Sequence, residues 1–223
     1  YVLAAEPRAE ILCGNAPNDN QPEGRDWLEC IGRFQPAAED AFFVPPGTVH
    51  AIGPGLVIAE IQQTSDITYR LFDWDRNALA DRPLHPKKAA EVMRTHRAQG
   101  PLTAVPVDDH RELLCACEKF AVERVRVREQ WARECRGDSF HILLNVGEST
   151  VGLETDGGRV TLDAGSAALV PGSNERFVVA GTGVCLDYYV PNLLVDVVGP
   201  LSDRGVSAEE IEALGCDQAE HRP

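Results

Sequence analysis

The chain has 223 residues, 43% of them hydrophobic and 25% charged, with a net charge of −14. That balance excludes a disordered chain, and the length allows a sizeable core in one large β domain or two smaller ones. The acidic charge excludes nucleic acid and acidic membrane surfaces as partners, since both need a basic footprint, but it leaves room for a small anionic substrate held by a local Arg or Lys cluster.

In chain order, residues 1–5 and 9–12 read as two strands joined by the turn Glu6-Pro7-Arg8. The opening reads as a strand already under way, and the natural chain is expected to start further upstream. Residues 14–26 are rich in Gly, Pro, Asn and Asp and predict an exposed loop. A short helix is expected over 26–31, with Asp26 as its N-cap. Strand signals follow at 42–44, 56–61 and 67–74, separated by the turn Pro45-Pro46-Gly47 and the polar tract Gln62-Gln63-Thr64-Ser65-Asp66. Residues 86–94, PKKAAEVMR, carry the clearest helix signal, with Pro acceptable in the first turn. The stretch 99–109 reads as a linker. Beyond it, strands are predicted at 113–117, 120–127, 140–146, 150–155, 159–162, 167–170, 176–180 and 184–190, with Asp156-Gly157-Gly158 as a hairpin turn. Ser207-x-x-Glu210 is a capping box that opens a C-terminal helix. The fold class is mainly β, and short strands punctuated by Pro and Gly suggest antiparallel sandwiches or barrels. Ala41 to Thr48 and Ala168 to Ser173 resemble an internal repeat in which only the first copy leads to a histidine.

No apolar run approaches the roughly 20 residues of a membrane span, and no secretory signal pattern opens the chain. The seven cysteines are odd in number and scattered, which points to reduced thiols and a cytoplasmic protein. Cys115-x-Cys117 lacks the zinc spacing CxxC and reads as small apolar filling on one strand face. Gly53-x-Gly55 and Gly181-x-Gly183 lack the third glycine and the helix of a dinucleotide site. There is no GxSxG elbow and no Walker A motif. Lys87-Lys88 reads as a solvated helix face, with phosphate holding as the alternative. His85, His96, His110, His141 and His221 are scattered and read as structural.

Two residues in the stretch 42–76 stand out. His50 follows a tight turn, and its residue type alone fits either a metal ligand or a satisfied structural histidine. Arg70 sits on the predicted strand 67–74, sharing parity with Thr68 and Phe72, and could bind an anion inside a barrel or lie at its rim. Glu60 and Gln62 share a face with Leu56 and Ile58.

The run VPPGTVHAIGPGLVIAEIQQTSDITYRLFDWDR, 44–76, resembles the signature of type I mannose-6-phosphate isomerase in its short bacterial form. Its PxGTxHA, ExQQxSD and TYRxxDxD elements are long and specific. The looser resemblance of the rest of the chain implies double-stranded β-helix (cupin) barrels, two in tandem with a short connecting helix, the first barrel incomplete. On that reading 1–82 is the C-terminal part of the catalytic barrel, 83–110 helix and linker, 111–198 a second cupin-like domain, and 199–223 a tail with a short helix. The resemblance implies an enzyme that interconverts mannose 6-phosphate and fructose 6-phosphate by moving a proton between C1 and C2, with Zn2+ as cofactor and a sugar phosphate as its small-molecule partner. His50 matches the family's last metal ligand and Arg70 its catalytic arginine. The family's other metal ligands, a Gln-x-His pair and a Glu, fall upstream of the part matching Tyr1 and are absent here. The competing expectation is a non-catalytic cupin that binds sugars or regulates, its metal site discarded. A purely structural double barrel is a third, disfavoured by the 62–66 tract and Arg70.

Overall fold

The computed structural model describes residues 1–15, 31–65, 67–71, 83–94 and 100–216. It divides into two compact units, Tyr1–Pro101 and Leu102–Pro223.

The first unit is built from small antiparallel sheets. Strand β1 (Val2–Ala5) pairs with β5 (Leu56–Ile58), and β2 (Ile11–Asn15) lies between β3 (Ile31–Phe34) and β4 (His50–Ile52). Val2, Ile11 and Cys13 form a buried core against Phe34, Phe42, Leu56 and Ile58. The helix expected over 26–31 lies outside the described residues except for Ile31, which begins β3. Helix α1 (Pro86–Val92) takes the place the sequence predicts, with Pro at its first turn and Ala89 buried.

Two of the predicted strands here are not strands among the described residues. Residues 42–44 are irregular, with Phe42 packing on Phe34 at 6.0 Å rather than joining a ladder. Of 67–74, the described residues 67–71 are also irregular. Backbone polar groups must find partners somewhere, and those of Arg70 find them in His85: the His85 N–H donates to the Arg70 carbonyl at 2.7 Å, and the Arg70 N–H reaches His85 Nδ1 at 3.4 Å. β-propensity is a preference for a pleated, half-buried surface, and this local pairing overrides it.

The second unit is two facing antiparallel sheets. One has the order β13-β10-β15-β8-β7-β6, from β6 (Val105–Pro106), β7 (Arg111–Ala116), β8 (Ala121–Val127), β10 (His141–Asn145), β13 (Ala167–Val170) and β15 (Gly183–Tyr189). The other has the order β12-β11-β14-β9, from β9 (Gln130–Glu134), β11 (Val151–Thr155), β12 (Gly158–Leu162) and β14 (Arg176–Ala180). From β8 to β15 the chain alternates between the sheets, apart from the β11–β12 hairpin. The resulting orders 8-15-10-13 and 9-14-11-12 are those of a jelly roll. Leu143, Val125, Val127 and Cys185 of one sheet meet Trp131, Leu153, Phe177 and Val179 of the other in a continuous core. Trp131 and Phe177 pack edge to face at 5.6 Å.

The sequence leaves β6 and β9 unpredicted. In β9, QWARE, only Trp131 is an apolar residue of strand-forming type, and the strand exists because it pairs with β14 along its whole length. The hairpin turn at 156–158 and the capping box both form: Ser207 Oγ accepts from the Glu210 N–H and Glu210 Oε2 accepts from the Ser207 N–H, opening α3 (Ala208–Ala213). A π-helical turn (Leu193–Val198) and α2 (Gly199–Asp203) precede it, and Val197, Leu201 and Ile211 join Leu113, Ala116 and Tyr189 in a second core.

Candidate functional site

His50 opens β4 directly after the turn Pro45-Pro46-Gly47. The turn needs glycine at 47, where φ is +85° and an added Cβ would lie 2.7 Å from the Val92 carbonyl oxygen. The imidazole is exposed, with Nδ1 2.9 Å from the Thr48 carbonyl. A carbonyl only accepts, so Nδ1 carries the proton and Nε2 keeps its lone pair, the form in which a histidine binds a metal. Next to it, Thr48 is buried and its hydroxyl has no hydrogen-bond partner among the described residues.

Arg70 is half-buried. Its backbone is held on both sides by His85, while its guanidinium makes no ion pair among the described residues. Tyr69 meets the His85 ring edge-on at 6.1 Å, and the Lys88 ammonium stands 6.0 Å from the Tyr69 ring centre. Residues 62–65 are exposed, as are Glu60, Lys87 and Lys88, so none of these lines an interior among the described residues.

A tetrahedral zinc centre takes at least three protein ligands. Among the described residues no group of three or more His, Cys, Asp or Glu is placed to hold a metal. The described residues therefore offer one coordination position at the candidate site, at His50 Nε2, and do not by themselves fit a zinc centre.

The second unit holds a different concentration of charge, which the sequence reading passed over. Along β8 and β15 the inward rows pair Ala121 with Tyr189 and Glu123 with Asp187. Arg133 reaches from the opposite sheet, its Nη1 bonding Glu123 at 2.7 Å and Asp187 at 3.1 Å. Asp187 also meets His141 Nδ1 at 2.9 Å, Glu123 accepts from the Tyr189 hydroxyl at 2.7 Å, and the Arg133 guanidinium lies 4.4 Å over the Tyr189 ring. Arg111 ties Glu123 to Asp108. Burial works against the Arg133 cation, yet the Glu123 and Asp187 carboxylates outweigh it and raise its pKa. Burial and then the Glu123 charge push the Tyr189 phenol well above its ordinary value. The signal was present in the sequence: Glu123 and Asp187 share strand parity with Ala121, Val125 and Cys185, and an acid on an apolar face demands a buried partner.

The buried cysteines Cys13, Cys115, Cys185 and Cys216 behave as packing. Burial raises the thiol pKa of Cys115 and Cys216 to about 12 and that of Cys185 to about 11.

No protein-family profile matches the chain. In structure it is similar to the mannose 6-phosphate isomerase of Bacillus subtilis, with a TM-score of 0.71 and 24% identity over 84% of this chain and 62% of that one. The apo mannose 6-phosphate isomerase of Salmonella typhimurium gives a TM-score of 0.56 at 18% identity, over 72% of this chain and 40% of that one. These likenesses place it in the fold class of that group, mainly β. In sequence it is 40% identical over 100 residues to mannose-6-phosphate isomerase ManA of Bacillus subtilis, and 37% identical over 100 residues to the mannose-6-phosphate isomerase of Streptococcus mutans. The chain thus resembles type I mannose-6-phosphate isomerase in sequence as well as in fold. Each match takes in 42% of this chain and 32% of the relative, so it spans about a third of the relatives' length.

Proposed function

We propose that this chain is the C-terminal portion of a zinc-dependent aldose–ketose isomerase that interconverts mannose 6-phosphate and fructose 6-phosphate. The observation that carries the reading is Arg70: a half-buried guanidinium without an ion pair among the described residues, on a backbone gripped from both sides, in a chain of net charge −14. Such a cation can hold the substrate phosphate or the negative charge that develops on the substrate oxygens as the proton moves between C1 and C2. His50 would supply one zinc ligand, with the others lying outside the described residues. Residues 1–82 would be the C-terminal part of the catalytic cupin barrel, 83–110 helix and linker, 111–198 a second cupin-like domain, and 199–223 a tail with a short helix. The proposed setting is the cytoplasm.

The second reading is a non-catalytic cupin that binds sugars or regulates, favoured by the single imidazole at the candidate metal position among the described residues. Zinc content and mannose-6-phosphate isomerisation, measured on the natural full-length product and on its Arg70→Ala variant, separate the two. Stoichiometric zinc with activity lost in the variant supports the isomerase. Sugar-phosphate binding without zinc or turnover overturns it in favour of the second reading.

A further inference from the structure

We propose that His85 is the positioning residue of Arg70, and that α1 is the spacer joining Arg70 to the turn before His50. This rests on the reading of Arg70 as the cation that meets the sugar phosphate.

His85 stands at the N-cap of α1, where a side chain ordinarily accepts a hydrogen bond from its own helix. It makes no such bond. Its ring is turned instead to Arg70, whose N–H points at Nδ1 at 3.4 Å, the long end of a hydrogen bond. A backbone N–H only donates, so Nδ1 must carry the lone pair and the ring proton sits on Nε2. The opposite tautomer serves His50, where Nδ1 faces a carbonyl. The ring also meets Tyr69, the residue beside Arg70.

From there a chain of backbone hydrogen bonds runs the length of the helix. His85 N donates to Arg70 O at 2.7 Å, Ala89 N to His85 O at 2.9 Å, and Met93 N to Ala89 O at 2.9 Å. The next residue, Arg94, donates to Gly47 O at 3.0 Å. Gly47 leads through buried Thr48 to His50. With each helical residue rising about 1.5 Å, this short helix sets a fixed spacing between the strand-free segment holding Arg70 and the turn that aims His50. Among the described residues no sheet ladder holds Arg70, and the His85 contact is what fixes its backbone.

The test uses the whole chain, labelled with nitrogen-15, as His85→Ala, His85→Asn and a Lys87→Ala control. Asn offers an acceptor oxygen close to the position of Nδ1. Without ligand, amide hydrogen exchange at Arg70 should quicken about tenfold in His85→Ala, the effect of one lost hydrogen bond. The Arg70 side-chain Nε resonance should shift in the same variant. His85→Asn should restore both, and Lys87→Ala should change neither. Unchanged Arg70 exchange in His85→Ala, or Asn performing no better than Ala, overturns the proposal. Calorimetric titration with mannose 6-phosphate is read separately. If the native chain binds it, His85→Ala should weaken binding about tenfold and Asn should recover it; failure of Asn to do so counts against the proposal. If the native chain does not bind it, the reading of Arg70 fails while the exchange data still decide the role of His85.

Discussion

Replacing Arg133 with Met removes the one cation that faces both Glu123 and Asp187 inside the second unit. Glu123 is 1% exposed and Asp187 is fully buried, so neither carboxylate can turn to water for compensation. Two charge-assisted hydrogen bonds, at 2.7 and 3.1 Å, are lost; at about 1.5–3 kcal/mol each they account for roughly 3–6 kcal/mol. The same range, about 3–5 kcal/mol, is typical when one partner of a buried ion pair is deleted. A domain is stable by only about 5–15 kcal/mol, so the variant should lose a large share of its stability. The matched control is Arg176→Met, whose ion pair with Glu134 is 54% and 78% exposed and should cost under about 1 kcal/mol. Urea unfolding followed by tryptophan fluorescence suits both, because Trp131 lies two residues from Arg133 in the same core. Asp187→Asn combined with Arg133→Met should cost less than the sum of the single changes, since the remaining carboxylate loses its like-charged neighbour. If Arg133→Met costs less than about 1 kcal/mol, or matches Arg176→Met, the buried charge network does not stabilise the second unit.

Gly47→Ala should destabilise the first unit by about 1–3 kcal/mol, because alanine is strained in the left-handed region and its Cβ would press on the Val92 carbonyl; chemical denaturation showing no loss would contradict that geometry. The Ser207 backbone N–H, and then its hydroxyl, hold the Glu210 pKa below the ordinary 4.5. Because the folded pKa is the lower one, this contribution is present above pH 4.5 and disappears as the pH falls through the lowered value. Carbon-13 NMR titration of the Glu210 carboxyl should place its midpoint below 4.5, and Ser207→Ala, which removes the hydroxyl but keeps the backbone N–H, should raise it only part of the way back. At pH 8, iodoacetamide should leave Cys115, Cys185 and Cys216 unmodified in the folded protein and label them after unfolding, since burial keeps them as thiols. Rapid labelling of any of the three in the native state would show that its cover opens.

The second unit was readable in advance wherever local chemistry and tertiary demand agree. Strands such as β13 and β14 are short apolar runs bounded by Pro or Gly turns, and they lie where the sequence puts them. The capping box is complete within four residues, so no distant partner is needed to predict it. In the first unit the same reasoning overreached. The run around Arg70 has the composition of a strand, but a strand also requires a neighbour, and among the described residues the backbone of Arg70 finds its partners in His85 instead. His85 itself looked like one scattered histidine among several, because nothing in the sequence says that an N-cap fifteen residues downstream will turn its ring away from its own helix.

By itself the sequence determined the mainly β class, helix α1, the capping box that opens α3 and the motif that carries His50 and Arg70, because each can be read from residues close together along the chain. Tertiary structure alone decided the jelly-roll order of the second unit, the meeting of Arg133 with Glu123 and Asp187, and the clamp of His85 on Arg70. Those contacts join residues 10, 54 and 15 positions apart. They exist only once burial has made an unpaired charge or an unpaired backbone group too costly to leave.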